Sequence, residues 1–220
     1  MNVTTGLETQ PVGWESGVKM GAANDASASS DPEAVGLGTT DNLLLNPSGE
    51  EGTTEPWSIN AITSLDNSSA ALSGGSVDAT DGDWWFRADR NLTVDNAGDV
   101  VAQSAFVSQT IDIRPFAPVQ SIDLNADHFG VGEITSGSGL VGMRSLVRLN
   151  YLDEQGALLA SDTSFEIDSD ITAPVTRGDL RLTGDNLPAG TAFVDAQFST
   201  DIRIERTGES ATASAILGID

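Results

Sequence analysis

From Asp41 to the C-terminus, short runs of alternating apolar and polar residues are separated by clusters of Gly, Pro, Asn, Asp and Ser. A period of two puts every second side chain on one face, so each run predicts a half-buried β-strand. Val100–Ile113 takes up this alternation near its end and is stopped by Arg114-Pro115, since proline gives a sheet no ladder hydrogen bond. Leu146–Leu152 alternates too. Asp153-Glu154-Gln155-Gly156 then turns the chain into Ala157–Ala160, a β-hairpin with a glycine available for positive φ. Leu187-Pro188-Ala189-Gly190 leads into Thr191–Ser199, where Val194, Ala196 and Phe198 share a face; Asp201–Arg206 and Ala211–Ile219 predict further strands. Only Asp78–Asp81 and Pro115–Ser121 leave room for a helical turn. Strands at this spacing predict an all-β domain over residues 41–220, two antiparallel sheets packed face to face.

Residues 1–40 hold neither period for long, and Ala22–Pro32 reads as a linker. An extended N-terminal arm is the expectation. Leu7, Val12, Trp14 and Val18 are its candidate interface residues, with Trp14 as the anchor. The arm either packs on a neighbouring subunit or folds back on its own domain. Met1–Glu8 has no basic or apolar region of the kind a secretory signal needs, and no apolar run reaches a membrane-spanning length of about 18 residues.

Charge changes the picture more than hydropathy does. Ten Lys and Arg against 33 Asp and Glu give −23 over 220 residues, and Lys19 is the only lysine. That balance excludes a nucleic-acid surface. It also loads the compact state with self-repulsion, which is largely screened in molar salt, where the Debye length is about 3 Å. The acids are spread evenly among apolar positions, so the chain reads as folded, and the composition resembles that of proteins from halophiles, above all haloarchaea and their viruses. Cysteine is absent, which removes disulfides, thiolate nucleophiles and cysteine zinc sites.

The run Asn42-Leu43-Leu44-Leu45-Asn46-Pro47-Ser48-Gly49-Glu50-Glu51-Gly52, followed by Pro56-Trp57, reads as an apolar strand, an Asn-Pro-Ser turn, an acid and a Trp. Ser108–Ile113, the Asp153–Gly156 hairpin and Leu187–Thr191 follow in order. Together these resemble the jelly-roll carbohydrate-binding modules and the lectin-like modules of phage and viral tail proteins. Gly49 departs from the resemblance, which usually has a bulky apolar residue there, and the outer positions of Arg144–Tyr151 do not display the family's aromatic sugar platform. The resemblance implies an antiparallel jelly-roll-like β-sandwich, non-catalytic, often with a structural Ca²⁺.

Asp78, Asp81 and Asp83 gather three carboxylates around Gly82, a density suited to Ca²⁺ or to a solvated loop, without EF-hand spacing. Trp84-Trp85-Phe86 is followed by Arg87. In a strand Trp84 and Phe86 face one way and Trp85 the other, so Trp84, Trp85 and Arg87 are candidates for ligand binding, for an interface, or for core. Trp57 reads as core. His128 is the only histidine; a lone histidine is more often a satisfied structural residue than a general base, and no nucleophile elbow accompanies it. Gly137-Ser138-Gly139 lacks a phosphate-loop pattern.

No nucleophile–base constellation is present, so no enzyme is expected. The first functional expectation is a structural virion protein of a haloarchaeal virus, a head-decoration, turret or tail component mediating assembly and contact with host-surface glycan. Its partners would be other virion proteins and copies of itself. The alternative is a non-catalytic carbohydrate-binding module of a halophile, located extracellularly.

Overall fold

A computed structural model describes residues 17–21, 43–46, 49–73, 75–79, 82–95, 100–116, 118–119, 121–168, 170–172 and 176–220. Leu7, Val12, Trp14 and the 22–32 linker lie outside them. Their strands are β1 Gly17–Gly21, β2 Ser58–Ile59, β3 Thr63–Asp66, β4 Ala70–Leu72, β5 Gly75–Val77, β6 Trp85–Val94, β7 Val100–Asp112, β8 Ser121–Leu152, β9 Leu158–Asp168, β10 Thr176–Gly184 and β11 Phe193–Ile219. One 3-10 turn, Arg114–Phe116, falls at the start of the second segment expected to hold a helical turn. Val18 sits in β1, which pairs with β8 of the same chain; this part of the predicted arm folds back on its own domain.

β7 and the β8–β9 hairpin follow the predicted alternation. At the hairpin, Asp153 Oδ1 accepts from the Gln155 and Ala157 amides and Gly156 takes φ +78°.

β8 and β11 are much longer than the alternation predicts. The expected strand 146–152 is only the end of the 32-residue β8, and the three expected strands after residue 190 merge into the 27-residue β11. Straight, β8 would span about 105 Å. A domain of this length has a radius of gyration of about 17 Å, so the ribbon folds over. β11 follows β8 throughout, from Phe193↔Leu152 to Ile219↔His128, with register shifts between Arg206 and Ala211 and between Thr212 and Ala213. Gly137 lies opposite Ala211, beside the first shift, at φ +81°; a Cβ there would fall 2.1 Å from the Ser210 carbonyl oxygen. Ile171 stitches the two halves of β8 together: its amide donates to Val141 O at 2.7 Å and its carbonyl accepts from the Gly132 amide at 2.9 Å.

The result is one hydrogen-bonded nine-stranded sheet folded into two layers, rather than two separate sheets. Layer A holds β10, the first half of β8, the second half of β11, β6 and β3. Layer B holds β9, the second half of β8, the first half of β11, β7 and β2. Their inner faces share one core, with Ile122 and Leu124 from the first half of β8 and Leu149 and Tyr151 from the second, around Phe86, Phe198 and Trp57. Trp57 is core as expected, edge-on to Phe86 at 5.5 Å, and its indole N–H donates to Asn46 O at 2.7 Å.

Residues 43–46 form no strand. The Gln109 side chain replaces the ladder by accepting from the Leu45 amide at 2.8 Å and donating to the Leu45 carbonyl at 2.9 Å. At Gly49 a Cβ would lie 2.2 Å from Leu65 Cδ1, so Leu65 of β3 fills the place where the resembled family carries a bulky residue.

Candidate ligand-binding groove

On the outer face of layer B, β7, β11, β8 and β9 lie side by side. Their registers put Phe106, Ser199, Leu146 and Phe165 in one row across the four strands. Three strand spacings separate the two phenylalanines by about 14 Å. The adjacent row reads Ser108, Gln197, Arg148 and Thr163, and the next Thr110, Asp195, Asn150 and Ser161. A groove of about 340 Å³ runs along the first two of these rows, lined by Phe106, Leu146, Arg148, Gln197, Arg144 and Asp201. Phe165, 63% exposed, stands at its β9 side.

Polar side chains in and beside the groove hold one another in place. The Asp195 carboxylate accepts from Gln197 at 2.6 Å and from Asn150 at 3.2 Å, and Asn150 accepts from Ser161 at 2.7 Å. One oxygen of buried Asp201 takes two donors from Arg144, Nε at 3.0 Å and Nη2. Arg148 donates through Nε to Thr163 Oγ1 at 3.2 Å. It forms no ion pair among the described residues, whereas Arg87, Arg114, Arg144, Arg181 and Arg203 each meet a carboxylate. The exposed Phe165 ring and the half-buried Phe106 ring, beside fixed amide, carboxylate and guanidinium groups, suit a polyhydroxylated ring: its apolar face stacks, and its hydroxyls pair with planar donors and acceptors.

The candidates picked from the sequence lie elsewhere. The Trp85 indole is fully buried under the β4–β5 hairpin, packed on Phe129 at 5.0 Å with its N–H 3.3 Å from Ser68 O. Of the alternatives weighed for it, the core reading holds and the sugar-stacking one fails, because the hairpin covers that face. The Arg87 guanidinium spends three of its five N–H donors on Asp66 at 2.6 Å and on both oxygens of Asp89 at 2.7 and 2.8 Å. Trp84 is partly exposed and lies over Gly52, whose missing Cβ leaves it room.

Asp78 and Asp83 line a separate cavity of about 220 Å³ with Asn67, Ser68 and Trp85. Asp81 lies outside the described residues. Nearby, Glu50 spends its oxygens on the Asp83 and Trp84 amides, at 3.0 and 3.1 Å. Among the described residues no group of three or more His, Cys, Asp or Glu side chains is placed to hold a metal ion.

His128 points between the layers, 1% exposed, and neither ring nitrogen has a hydrogen-bond partner. The expectation of a satisfied structural histidine is met in burial and not in bonding. Burial holds the imidazole below its usual pKa against the opposing charges of Glu166 and Asp179.

The groove residues escaped the sequence reading because Phe106 and Phe165 become neighbours of Arg148 only through strand register. The one signal in the sequence was the outward Arg and Asn of Arg144–Tyr151.

No protein-family model and no curated protein matches the chain. Solved structures are among its matches. One is the carbohydrate-binding module TmCBM61 in complex with β-1,4-galactotriose, at 14% identity and a TM-score of 0.42, covering 82% of this chain and 94% of that one. Another is the enzymatically active domain of bacteriophage CBA120 tailspike protein 4, at 17% identity and a TM-score of 0.36, covering 81% of this chain and 21% of that one.

Proposed function

We propose that the chain is a non-catalytic recognition module that binds a saccharide in the groove of layer B. It is carried on a haloarchaeal virus particle, where it serves assembly and contact with host-surface glycan. The observation that carries this reading is the row from Phe106 to Phe165, with the Arg148 guanidinium beside it bonded to Thr163 and meeting no carboxylate among the described residues. The groove lining contains a single carboxylate, Asp201, already held by Arg144; glycoside hydrolysis generally takes two. The charge of −23 supports the high-salt setting. A glycan array probed in molar salt tests the reading. Phe165→Ala and Arg148→Ala should each weaken the strongest hit about tenfold, or ~1.4 kcal/mol. An array with no hit, or hits that both variants retain, overturns it.

The assembly half of the reading rests on β9. Its Leu158 and Ile167 are 61% and 49% exposed on a strand that pairs only with β8 among the described residues, and such an edge is a ready site for subunit contact. Light scattering with mass determination in molar salt should give a defined oligomer. A monomer leaves the free-standing extracellular module.

A further inference from the structure

Acids outnumber basic residues 33 to 10 in this chain, and the guanidinium groups of Arg87, Arg114, Arg144, Arg181 and Arg203 each meet a carboxylate. Arg148, inside the groove, does not. Its Nε donates to Thr163 Oγ1 at 3.2 Å, and the four N–H groups on Nη1 and Nη2 meet no acceptor among the described residues. On the facing strand β11 the carboxylates are engaged elsewhere: Asp195 Oδ2 accepts from Gln197 and Asn150, and Asp201 Oδ2 accepts from Arg144. In the groove lining Arg144 and Asp201 cancel, so Arg148 leaves one net positive charge there, on a chain whose total is −23.

Resting on the saccharide groove proposed above, we infer that its ligand is an acidic saccharide, whose carboxylate or sulfate group pairs with Nη1 and Nη2 of Arg148. A neutral sugar brings hydroxyls alone. Hydroxyls both donate and accept, which suits the amides of Gln197 and Asn150, whereas a guanidinium only donates and carries a charge. Covering that charge with a neutral ring would strip its water and return no counter-charge. Because Thr163 holds Nε, the remaining edge is the Nη1–Nη2 fork, which matches two oxygens of one anionic group. Arg148 lies one row from the line of Phe106, Leu146 and Phe165, about 7 Å along the strand, so a ring stacked on that line brings a substituent on its edge within reach. The many carboxylates of the chain repel an anion at long range. In molar salt their field is cut off within about 3 Å, and a hydrogen-bonded pair lies inside that distance.

A glycan array in molar salt tests the inference if it carries matched pairs: uronate oligosaccharides such as oligogalacturonate beside their methyl esters, and sulfated ones such as keratan sulfate beside their desulfated forms. The anionic member of a pair should bind about tenfold or more tightly than its neutral partner, as a charge-assisted contact does. Which kind of pair responds tells carboxylate from sulfate. Arg148→Gln keeps a planar amide and removes the charge, so it should weaken the anionic member alone and abolish the difference. Arg148→Lys keeps the charge without the fork and should restore part of it. Pairs that bind alike, with binding lost in Phe165→Ala, overturn the acidic ligand and leave the groove standing. A preference for the anion that Arg148→Gln retains also overturns it, and an array with no hit removes groove and acidic ligand together.

Discussion

Arg144→Met tests whether the groove floor is held by a buried charge pair. Methionine keeps the stem of the side chain and removes the guanidinium. Asp201 is 5% exposed and one of its oxygens, Oδ1, already lacks a partner, so its charge would be left uncompensated. Breaking a fully buried pair costs about 3–5 kcal/mol; an exposed pair is worth about 0–1 kcal/mol. The Arg144 side chain is 43% exposed against 7% for Asp201, which places the loss between these limits, at about 2 kcal/mol. For a chain of this size that corresponds to a fall in melting temperature of about 4–8 °C. Asp201→Asn leaves the guanidinium facing water and should cost about 1 kcal/mol. The double variant should cost no more than Arg144→Met alone, a coupling of about 1 kcal/mol. Urea unfolding of all four proteins at one salt concentration measures the cycle. Additive losses, or a loss below about 0.5 kcal/mol for Arg144→Met, would refute the reasoning.

Other outcomes follow from the same physics. Gly218→Ala would set a Cβ 2.2 Å from Phe129 and 2.7 Å from Trp85, both rings fully buried, so thermal melts should show a loss of about 1–3 kcal/mol; Gly156→Ala has nothing within 4 Å and costs only its φ of +78°, about 1–2 kcal/mol, and a melt lower than that of Gly218→Ala contradicts the packing described. Raising NaCl from about 0.1 to 1 M shortens the Debye length from about 10 to 3 Å and should raise the urea midpoint; a flat or falling midpoint argues against self-repulsion as a dominant load. The folded pKa of His128 lies below its usual 6.5, so its contribution is intact above that value and is lost as pH falls, because the unfolded chain takes the proton first. The slope should approach about 1.36 kcal/mol per pH unit at most. Asp168, pushed up by burial, acts the opposite way in the carboxylate range. The stability difference between the native chain and His128→Gln across pH 5 to 7 isolates the histidine, and a difference that does not change removes it.

What could be read from the sequence was local. The β8–β9 hairpin announced itself because Asp153 and Gly156 fix the turn within four residues. The alternation of Trp85 against Phe86 was legible too, although not the cover over Trp85, which comes from the short β4–β5 hairpin. The unity of β8 was hidden because Gly130, Gly132 and Gly137 interrupt the alternation in the sequence, while in the folded-over ribbon Gly137 lets the strand turn without leaving its ladder. The segment at Leu43–Leu45 reads as a strand by its apolar run, yet its hydrogen bonds go to one side chain, Gln109. The groove was out of reach for a related reason. Phe106, Leu146 and Phe165 meet through the pairings of β11 with β7 and β8, and of β8 with β9, and those registers are set by the core on the opposite face of the layer.

The claim that layer B recognises a saccharide is tested most directly by mapping where one binds. Nitrogen-labelled protein in molar salt, titrated with the strongest glycan from the array and followed by amide chemical shifts, gives that position. The account predicts shifts that cluster on Phe106, Leu146, Arg148, Phe165 and Gln197 and vanish in Phe165→Ala. Shifts centred on Trp84 and the Asp78–Asp83 loop, with the layer B face silent, would contradict it.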